Sequence, residues 1–284
     1  MNIQEISKIK ELFWKSGYGS INIEEAKHIN DYINQKKPKD FLEIGTASGF
    51  SGGLICCFLE ENNQSANFTT VDYDNTFFGD LKKENGFLVN SIYKGQKIKI
   101  NQKKFKISAD IAEGDNFFDM AFIDANHMHP WPTLDTIAIL PKLKKPSILL
   151  HHDYNLFKIQ KDSKGIGPKY LFDQWIPNKR KRLKGNKGNL IALEIDKEAE
   201  FYSSILSDSL HLPWTINEYH FPKRGSGAIN NCYERYRKII SKYYDKSLLE
   251  TFENRYKTFY LKNNNVINSK LRYLKSRLKT VLKS

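Results

Sequence analysis

The sequence has few cysteines and no long apolar run. Three cysteines occur among 284 residues: Cys56 and Cys57 are adjacent within LICCFL, and Cys232 lies far from both. This spacing excludes a disulfide framework or a cysteine-based zinc site, and we expect small buried side chains instead. No stretch approaches the roughly 18 to 20 apolar residues of a membrane span, and the polar, acidic N-terminus is unlike a signal peptide. We therefore expect a cytoplasmic protein.

Positive charge is in excess. The net charge of +13 and the pI near 9.4 favour an acidic partner such as nucleic acid, anionic lipid or a phosphorylated or carboxylated substrate. Basic residues concentrate in 97–106, in 178–187 and beyond Arg235. A solvated Lys/Asn-rich surface explains the first block equally well. The blocks lack regular aromatic interleaving and no RNA-binding module is recognised, so nucleic acid is not the partner we expect.

Strand and helix patterns alternate along the first 196 residues. The predicted strands are 41–45, 68–74, 105–109, 117–125 and 146–153, followed by a hairpin at 179–183 and 189–195. The predicted helices are 20–33, 51–61, 131–143 and 169–176. Repeated β–α units predict an α/β fold: a doubly wound, mostly parallel seven-stranded sheet with an antiparallel edge hairpin. Residues 1–196 form the predicted main domain, and residues 197–284 a C-terminal extension, mixed and then basic helical.

Glycines follow the first strand in FLEIGTASGFSGG, residues 41–53. In doubly wound sheets, ligands bind beyond the carboxyl ends of the strands, so a ligand can approach this main chain without meeting a Cβ. The spacing G-x-x-x-G-x-x-G differs from the dinucleotide fingerprint and lacks the G-K-[ST] end of a phosphate loop. With Glu43 two residues before Gly45, the pattern suits a ligand with an ammonium group and no pyrophosphate.

This segment resembles the first motif of class I S-adenosylmethionine-dependent methyltransferases, and the order of elements from about residue 20 to 195 resembles the same family. The resemblance implies that the glycine loop holds the methionine end of the cofactor, that Asp72 or its neighbour Asp74 binds the ribose hydroxyls, and that ISAD contacts adenine. The predicted cofactor-binding residues are Glu43, Gly45, Thr46, Ala47, Ser48, Gly49, Asp72, Asp74, Ser108, Ala109, Asp110 and Asp124.

Acids and histidines follow two later strands. Asp124 ends one strand, His127 comes three positions later, and the next strand ends in His151, His152 and Asp153. Methyl transfer is an in-line displacement in which an acceptor hydroxyl must lose its proton. An alcohol releases that proton reluctantly at neutral pH, so the chemistry calls for a positioned base, a divalent metal, or both.

The pattern D-x-x-H followed by H-D resembles the catechol-type and macrocin-type sugar O-methyltransferases. The resemblance implies that Asp124 and Asp153 bind a divalent cation such as Mg²⁺ and that His127 is the general base. The catechol-type enzymes have asparagine after the second aspartate, where this chain has Tyr154. His152 or water would then complete the metal site.

Other polar residues have simpler interpretations. We expect a loop position for His129, a structural role for one of the pair His151 and His152, and a surface charge at Asp135. Trp131 either forms a rigid wall against which a sugar ring binds, or packs within the protein where the helix begins. The segment KDSKGIGPK is either a mobile flap or an ordinary loop. If it is a flap, its lysines meet an anionic acceptor: Lys161, Lys164 and Lys169.

The C-terminal residues are less informative. Lys223 and Arg224 are candidates for binding an anionic substrate, or simply solvent-exposed. Residues 269–284 place four aliphatic side chains on one face of a basic helix, which leaves three roles open: contact with an anionic membrane surface, packing on a second subunit, or a frayed soluble helix.

Together these patterns predict an S-adenosylmethionine-dependent O-methyltransferase that acts on a hydroxyl of a sugar, glycan or related small metabolite, with glycan synthesis at the inner membrane face as one setting. The first alternative is an RNA methyltransferase. The sequence lacks the N/D-P-P-[YF] signature of many base N-methyltransferases, which argues against it. A non-catalytic binding protein on the same fold is the second.

Overall fold

The structure is a computed structural model that describes residues 1–15, 18, 21–62, 65–160, 164–183, 188–216 and 231–259. Nine strands occur in these ranges: β1 Asp40–Ile44, β2 Ala66–Val71, β3 Thr76–Phe77, β4 Asp80–Glu84, β5 Ile98–Lys103, β6 Phe118–Ile123, β7 Leu143–His151, β8 Arg180–Arg182 and β9 Ile191–Ile195. The α-helices are α1 Ile3–Phe13, α2 Ile23–Lys36, α3 Phe50–Glu61, α4 Val89–Ile92, α5 Ser108–Glu113, α6 Trp131–Ile139, α7 Gly167–Gln174, α8 Ser203–His211 and α9 Cys232–Tyr243. Residues 246–259 are also helical.

Seven strands form one sheet in the order β5-β2-β1-β6-β7-β9-β8, and β3 and β4 form a separate hairpin. Strands β5, β2, β1, β6 and β7 are mutually parallel, whereas β9 runs antiparallel to both of its neighbours. The predicted fold class, a doubly wound sheet with an antiparallel edge hairpin, is confirmed. From β1 the chain continues to β2 and β5 on one side of the sheet and then crosses to β6 and β7 on the other side of β1. The topological switch point therefore falls between β1 and β6.

The third strand of the parallel sheet lies earlier in the chain than predicted. It is β5, Ile98–Lys103, and not residues 105–109. Ile98 is buried while Lys99 is exposed, so the basic block at 97–106 is largely a strand that pairs on one side only, with β2. An edge strand tolerates lysines because one of its faces meets solvent. Ser108 therefore starts helix α5 instead of lying in a strand.

Alternate residues of the central strands pack into two separate cores. Phe41 belongs to the core beneath α2 and α3, and its neighbour Leu42 belongs to the core beneath α5 and α6. Successive strand side chains point to opposite faces, which explains this division. The second core also includes Leu206 of α8 and Tyr236 of α9, so these two helices cover one face of the sheet. The boundary at residue 196 stays a prediction.

None of the helices in the described ranges has the length and apolar character needed to span a bilayer. The basic segment 269–284 lies outside the described residues, as do Lys161, Lys223 and Arg224.

Candidate active site

The glycine loop joins β1 to α3 at the switch point. Gly45 has φ +100° and donates from its backbone N–H to the Val71 carbonyl at 2.9 Å. A Cβ at this position would overlap the backbone carbonyl of Asp124, so the loop can approach β6 only if residue 45 is glycine. Gly49 has φ +81° and stands at the N-cap of α3. The predicted bare main chain is therefore present at the carboxyl end of β1.

Asp72 holds this loop from the end of β2. One carboxylate oxygen accepts hydrogen bonds from the backbone N–H groups of Thr46 and Ala47 at 3.1 and 3.0 Å. Burial raises the pKa of Asp72, although these bonds and one from the Asp74 amide act in the opposite direction. Asp72 and Asp74 both line the cavity above the loop, where their predicted contact with ribose hydroxyls stays a prediction.

Glu43 lies beneath the loop, which corrects its expected contact with a ligand ammonium. Its side chain is fully buried and does not line the cavity. Ser51 and Thr70 donate to its two carboxylate oxygens at 2.6 and 2.7 Å. Burial raises the pKa of Glu43 to about 8. Because residue 43 points to the α3 side of the sheet, this carboxyl group supports the loop from behind.

The acids and histidines predicted from two separate segments meet at the ends of β6 and β7. His127 Nδ1 lies 2.9 Å from Asp153 Oδ2. His152 Nδ1 lies 3.1 Å from Asp124 Oδ1 and 3.3 Å from Asp153 Oδ1. All four side chains line the same cavity as the glycine loop. The backbone of Asp153 is in the left-handed region, with φ +65°, which turns the chain out of β7 at this point.

These groups shift one another's protonation. Burial would lower the pKa of His152, but the charges of Asp124 and Asp153 raise it well above its ordinary value. Burial likewise opposes protonation of His127, and the hydrogen bond to Asp153 raises its pKa overall. Burial would raise the pKa of Asp153, but the two histidines lower it to about 2. The neighbouring carboxylates therefore make both imidazoles more basic.

Two residues that the sequence did not reveal complete the cluster. Glu25 of α2 is buried, and its Oε2 lies 3.1 Å from His152 Nε2. Its other oxygen accepts the backbone N–H of Asn189 at 3.0 Å, and the Asn189 amide donates to Asp153 at 2.8 Å. In sequence, Glu25 is the third residue of a capping box begun by Asn22, a pattern with a purely structural explanation. Glu25 and His152 are 127 residues apart, so no local signal connects them.

The donor set fits a divalent cation. One ligand atom each from Asp124, His152 and Asp153 can be chosen so that all three lie within 4.8 Å of one another. Glu25 engages His152 Nε2, which leaves Nδ1 directed at the two carboxylates, the arrangement that typically orients a metal-binding imidazole. Tyr154, in the position of the catechol-type asparagine, packs edge-on against Phe172 at 5.2 Å. His152 lies beside both carboxylates, so it stays a candidate for the third ligand position together with water.

The predicted adenine contacts divide between cavity and scaffold. Ser108 lines the cavity, while Ala109 is buried in the core. Asp110 accepts from the Ile107 backbone N–H at 2.8 Å and pairs with Arg235 at 3.1 Å. Ala109 and Asp110 do not line the cavity, which corrects their predicted contact: both belong to the first turn of α5, where one packs inward and the other caps the helix.

Asp135 is buried and lines the cavity, so its prediction as a surface charge is wrong. It accepts a hydrogen bond from Ser108 Oγ at 2.6 Å, and Ser108 Oγ lies 2.9 Å from the Tyr236 hydroxyl of α9. Burial raises the pKa of Asp135 to about 7. Helix α6 is covered by α9 on the face that carries Asp135, which its sequence did not reveal.

The remaining predicted residues have clear positions. His129 is buried in its loop, and burial lowers its pKa to about 3. His151 faces away from His152 and pairs with Thr136 Oγ1 at 3.0 Å, consistent with one structural member of the pair. Trp131 lines the cavity and also packs edge-on against Tyr236.

The cavity has a volume of about 1130 Å³, which is ample for a nucleoside cofactor together with a second molecule. Most of the predicted site residues line it: Gly45, Thr46, Ala47, Ser48, Asp72, Asp74, Ser108, Asp124, His127, His152 and Asp153. Gly49 does not line it, because its position at the N-cap of α3 places it against Gly86 and Val89.

The strand order, the glycine loop and the acidic residue after β2 have the arrangement that the sequence predicted from its resemblance to class I methyltransferases. The sequence model of a family described as a methyltransferase domain matches residues 42–154, which include the loop and both ends of the Asp/His cluster. Residues 42–154 therefore match a methyltransferase domain, which agrees with the class of enzyme that the sequence predicted. A search of curated proteins finds no match.

Several solved structures are similar in fold. An O-methyltransferase from Bacillus cereus in complex with SAH is 12% identical, with a TM-score of 0.48 over 68% of this chain and 90% of that chain. The O-methyltransferase TomG from Streptomyces achromogenes, involved in tomaymycin synthesis and in complex with SAM, is 15% identical, with a TM-score of 0.48 over 69% and 89%. The SAH-bound methyltransferase PaMTH1 from Podospora anserina is 17% identical, with a TM-score of 0.47 over 69% and 87%.

Proposed function

We propose that this protein is an O-methyltransferase that transfers the methyl group of S-adenosylmethionine to a hydroxyl of a sugar or glycan. The observation that carries the proposal is the cluster of Asp124, His127, His152 and Asp153, which faces the cavity beside the glycine loop. A neutral amine nitrogen is nucleophilic enough to attack before it loses a proton, whereas an alcohol oxygen is a weak nucleophile unless its proton is removed as it attacks. A base beside a metal-type ligand set is what hydroxyl chemistry requires.

An aliphatic hydroxyl explains the cluster better than a phenol. A sugar hydroxyl is a much weaker acid than a phenol, so its methylation gains from both a base and a cation. His127 and the Asp124–His152–Asp153 set supply candidates for both roles within one wall of the cavity.

His127 is the proton acceptor in this proposal. Its Nδ1 donates to Asp153, which leaves Nε2 free to take the hydroxyl proton, and its side chain is 32% exposed toward the cavity. The acceptor oxygen forms a bond to the methyl carbon as the carbon–sulfur bond breaks, and the sulfur leaves as a neutral thioether. Asp153 stabilises the imidazolium that forms.

The residues that would hold a divalent cation are Asp124, His152 and Asp153. A cation bound there would act as a Lewis acid on the acceptor hydroxyl. Glu25 orients His152, and the Asn189 amide orients Asp153. The glycine loop and Asp72 would position the donor across the cavity.

Methyl-labelled S-adenosylmethionine, incubated with Mg²⁺ and a panel of sugar phosphates, nucleotide sugars and RNA, tests the proposal. Mass spectrometry should locate the label on a sugar oxygen. His127→Ala should reduce turnover about 100-fold or more while retaining cofactor binding, and His28→Ala, a histidine on α2 outside the cavity lining, is the matched control. Label on RNA, or full activity of His127→Ala, would contradict the assignment.

Contact of residues 269–284 with a membrane or a second subunit stays a prediction, because this segment lies outside the described residues. The cytoplasmic location also stays a prediction.

A further inference from the structure

The cavity is lined by charged side chains of both signs. Acidic side chains gather at the ends of β2, β6 and β7, whereas Lys158 and Lys164 line the cavity on the segment that follows β7. A third lysine of the lining, Lys106, lies after β5 and pairs with Asp110 at 3.2 Å. On the β7 side, two lysines therefore line the cavity near the acidic cluster.

The backbones of Lys158 and Lys164 are anchored to the reaction cluster. Residues Leu156–Lys158 form a 3-10 turn whose first N–H donates to the Asp153 carbonyl at 3.1 Å. Thr215 Oγ1 donates to the Lys164 carbonyl at 2.9 Å and accepts the His129 backbone N–H at 2.9 Å. One lysine thus follows a predicted metal ligand, and the other is tied to the loop that carries the base.

These lysines lie at the far end of the cavity from the predicted ribose site. Asp72 follows β2 and Asp153 follows β7, three strand spacings apart in the sheet. Neighbouring strands lie about 4.8 Å apart, so the two carboxylates are separated by roughly 14 Å along the sheet edge. Because the donor is predicted to bind beside Asp72, the β7 end with Lys158 and Lys164 is left for the second substrate.

The two ammonium groups are available to a ligand. Within the described part of the chain, neither has a carboxylate partner, and both side chains are largely exposed. Lys169, which the sequence also put forward, pairs with Asp173 and does not line the cavity. Lys158 and Lys164 are therefore the described lysines of this segment that could bind an anion in the cavity, and Lys169 is not.

We propose that the methyl acceptor carries an anionic group, a phosphate or a carboxylate, which Lys158 and Lys164 bind while a neighbouring hydroxyl lies against His127. This inference rests on the proposed function and adds the chemical class of the acceptor. The lysines position the acceptor through charge, and two such exposed contacts should change affinity by about tenfold.

Isothermal titration calorimetry of the full chain saturated with S-adenosylhomocysteine tests the inference. The probes are glucose 1-phosphate, glucuronate and neutral methyl glucoside, so the arms separate phosphate from carboxylate and both from the sugar alone. The test variant is Lys158→Ala/Lys164→Ala. Its control, Lys97→Ala/Lys99→Ala, removes the same charge from the amino end of β5, at the opposite edge of the sheet.

At least one anionic probe should bind about tenfold more tightly than methyl glucoside, and the test variant should lose that difference while the control keeps it. Cofactor affinity should stay within about twofold in both variants, because neither pair lies at the predicted donor end. Binding of no anionic probe, equal binding of the neutral sugar, or unchanged binding by the test variant would overturn the inference. Failure of the wild type to bind S-adenosylhomocysteine would instead overturn the proposed function.

Discussion

Glu43 is a fully buried carboxyl group, and Glu43→Gln should remove most of its contribution to the pH dependence of stability. The carboxyl accepts from Ser51 and Thr70, and burial raises its pKa from 4.5 to about 8. Glutamine has the shape of the protonated acid. Its carbonyl can accept from Ser51, and its amide can donate to Thr70, whose hydroxyl lies 2.6 Å from Thr46 Oγ1.

The sign follows from proton binding. With a raised pKa, the folded chain keeps a proton that the unfolded chain releases above pH 4.5, so stability falls as pH rises and levels off above about pH 8. One pKa unit corresponds to about 1.4 kcal/mol, so between about pH 5.5 and 7.5 this group alone should lower the free energy of unfolding by about 2 to 3 kcal/mol. The glutamine variant lacks this loss.

Urea unfolding at the two pH values measures the effect. The wild type should lose about 2 to 3 kcal/mol more than Glu43→Gln does. Asp135, whose pKa is raised to about 7, contributes in the same direction to both proteins and cancels in the comparison. Glu24→Gln, at an exposed position in the first turn of α2, is the control and should follow the wild type. Equal losses in wild type and Glu43→Gln would refute the reasoning.

Three further predictions concern the site. Gly45→Ala should abolish cofactor binding in calorimetry and lower the melting temperature by several degrees, because φ +100° and the Asp124 carbonyl both oppose a Cβ. In the control Gly114→Ala, the new Cβ would make ordinary contacts only, so neither property should change. Glu25→Gln should weaken Mn²⁺ binding about 10- to 100-fold by calorimetry, whereas unchanged affinity would separate Glu25 from the metal site. Tyr236→Phe should destabilise the fold by about 1 kcal/mol in urea, and an unaltered midpoint would show that its hydroxyl does not support Ser108.

Much of the fold and part of the site could be predicted because their signals are local. The glycines after β1 and the polar residues after β2, β6 and β7 were recognisable because each group directly follows a predicted strand. Parallel strands bring the residues at their carboxyl ends together along one edge of the sheet. That rule alone brought Asp124 and His127 together with Asp153. The misplaced third strand shows the limit: an edge strand with lysines on its open face lacks the apolar run that revealed the central strands.

The sequence by itself determined the glycine loop and the acids that follow the strands, and so predicted the class of the protein, because these features lie within short segments. Only the tertiary structure decided which carboxyl groups face the cavity. Glu43 turned inward, Asp135 was covered by α9, and Glu25 reached His152 from a helix 127 residues away. The burial of an acidic side chain and its hydrogen-bond partners depend on how distant elements pack. The sequence pattern of a helix or strand does not show which elements pack against it.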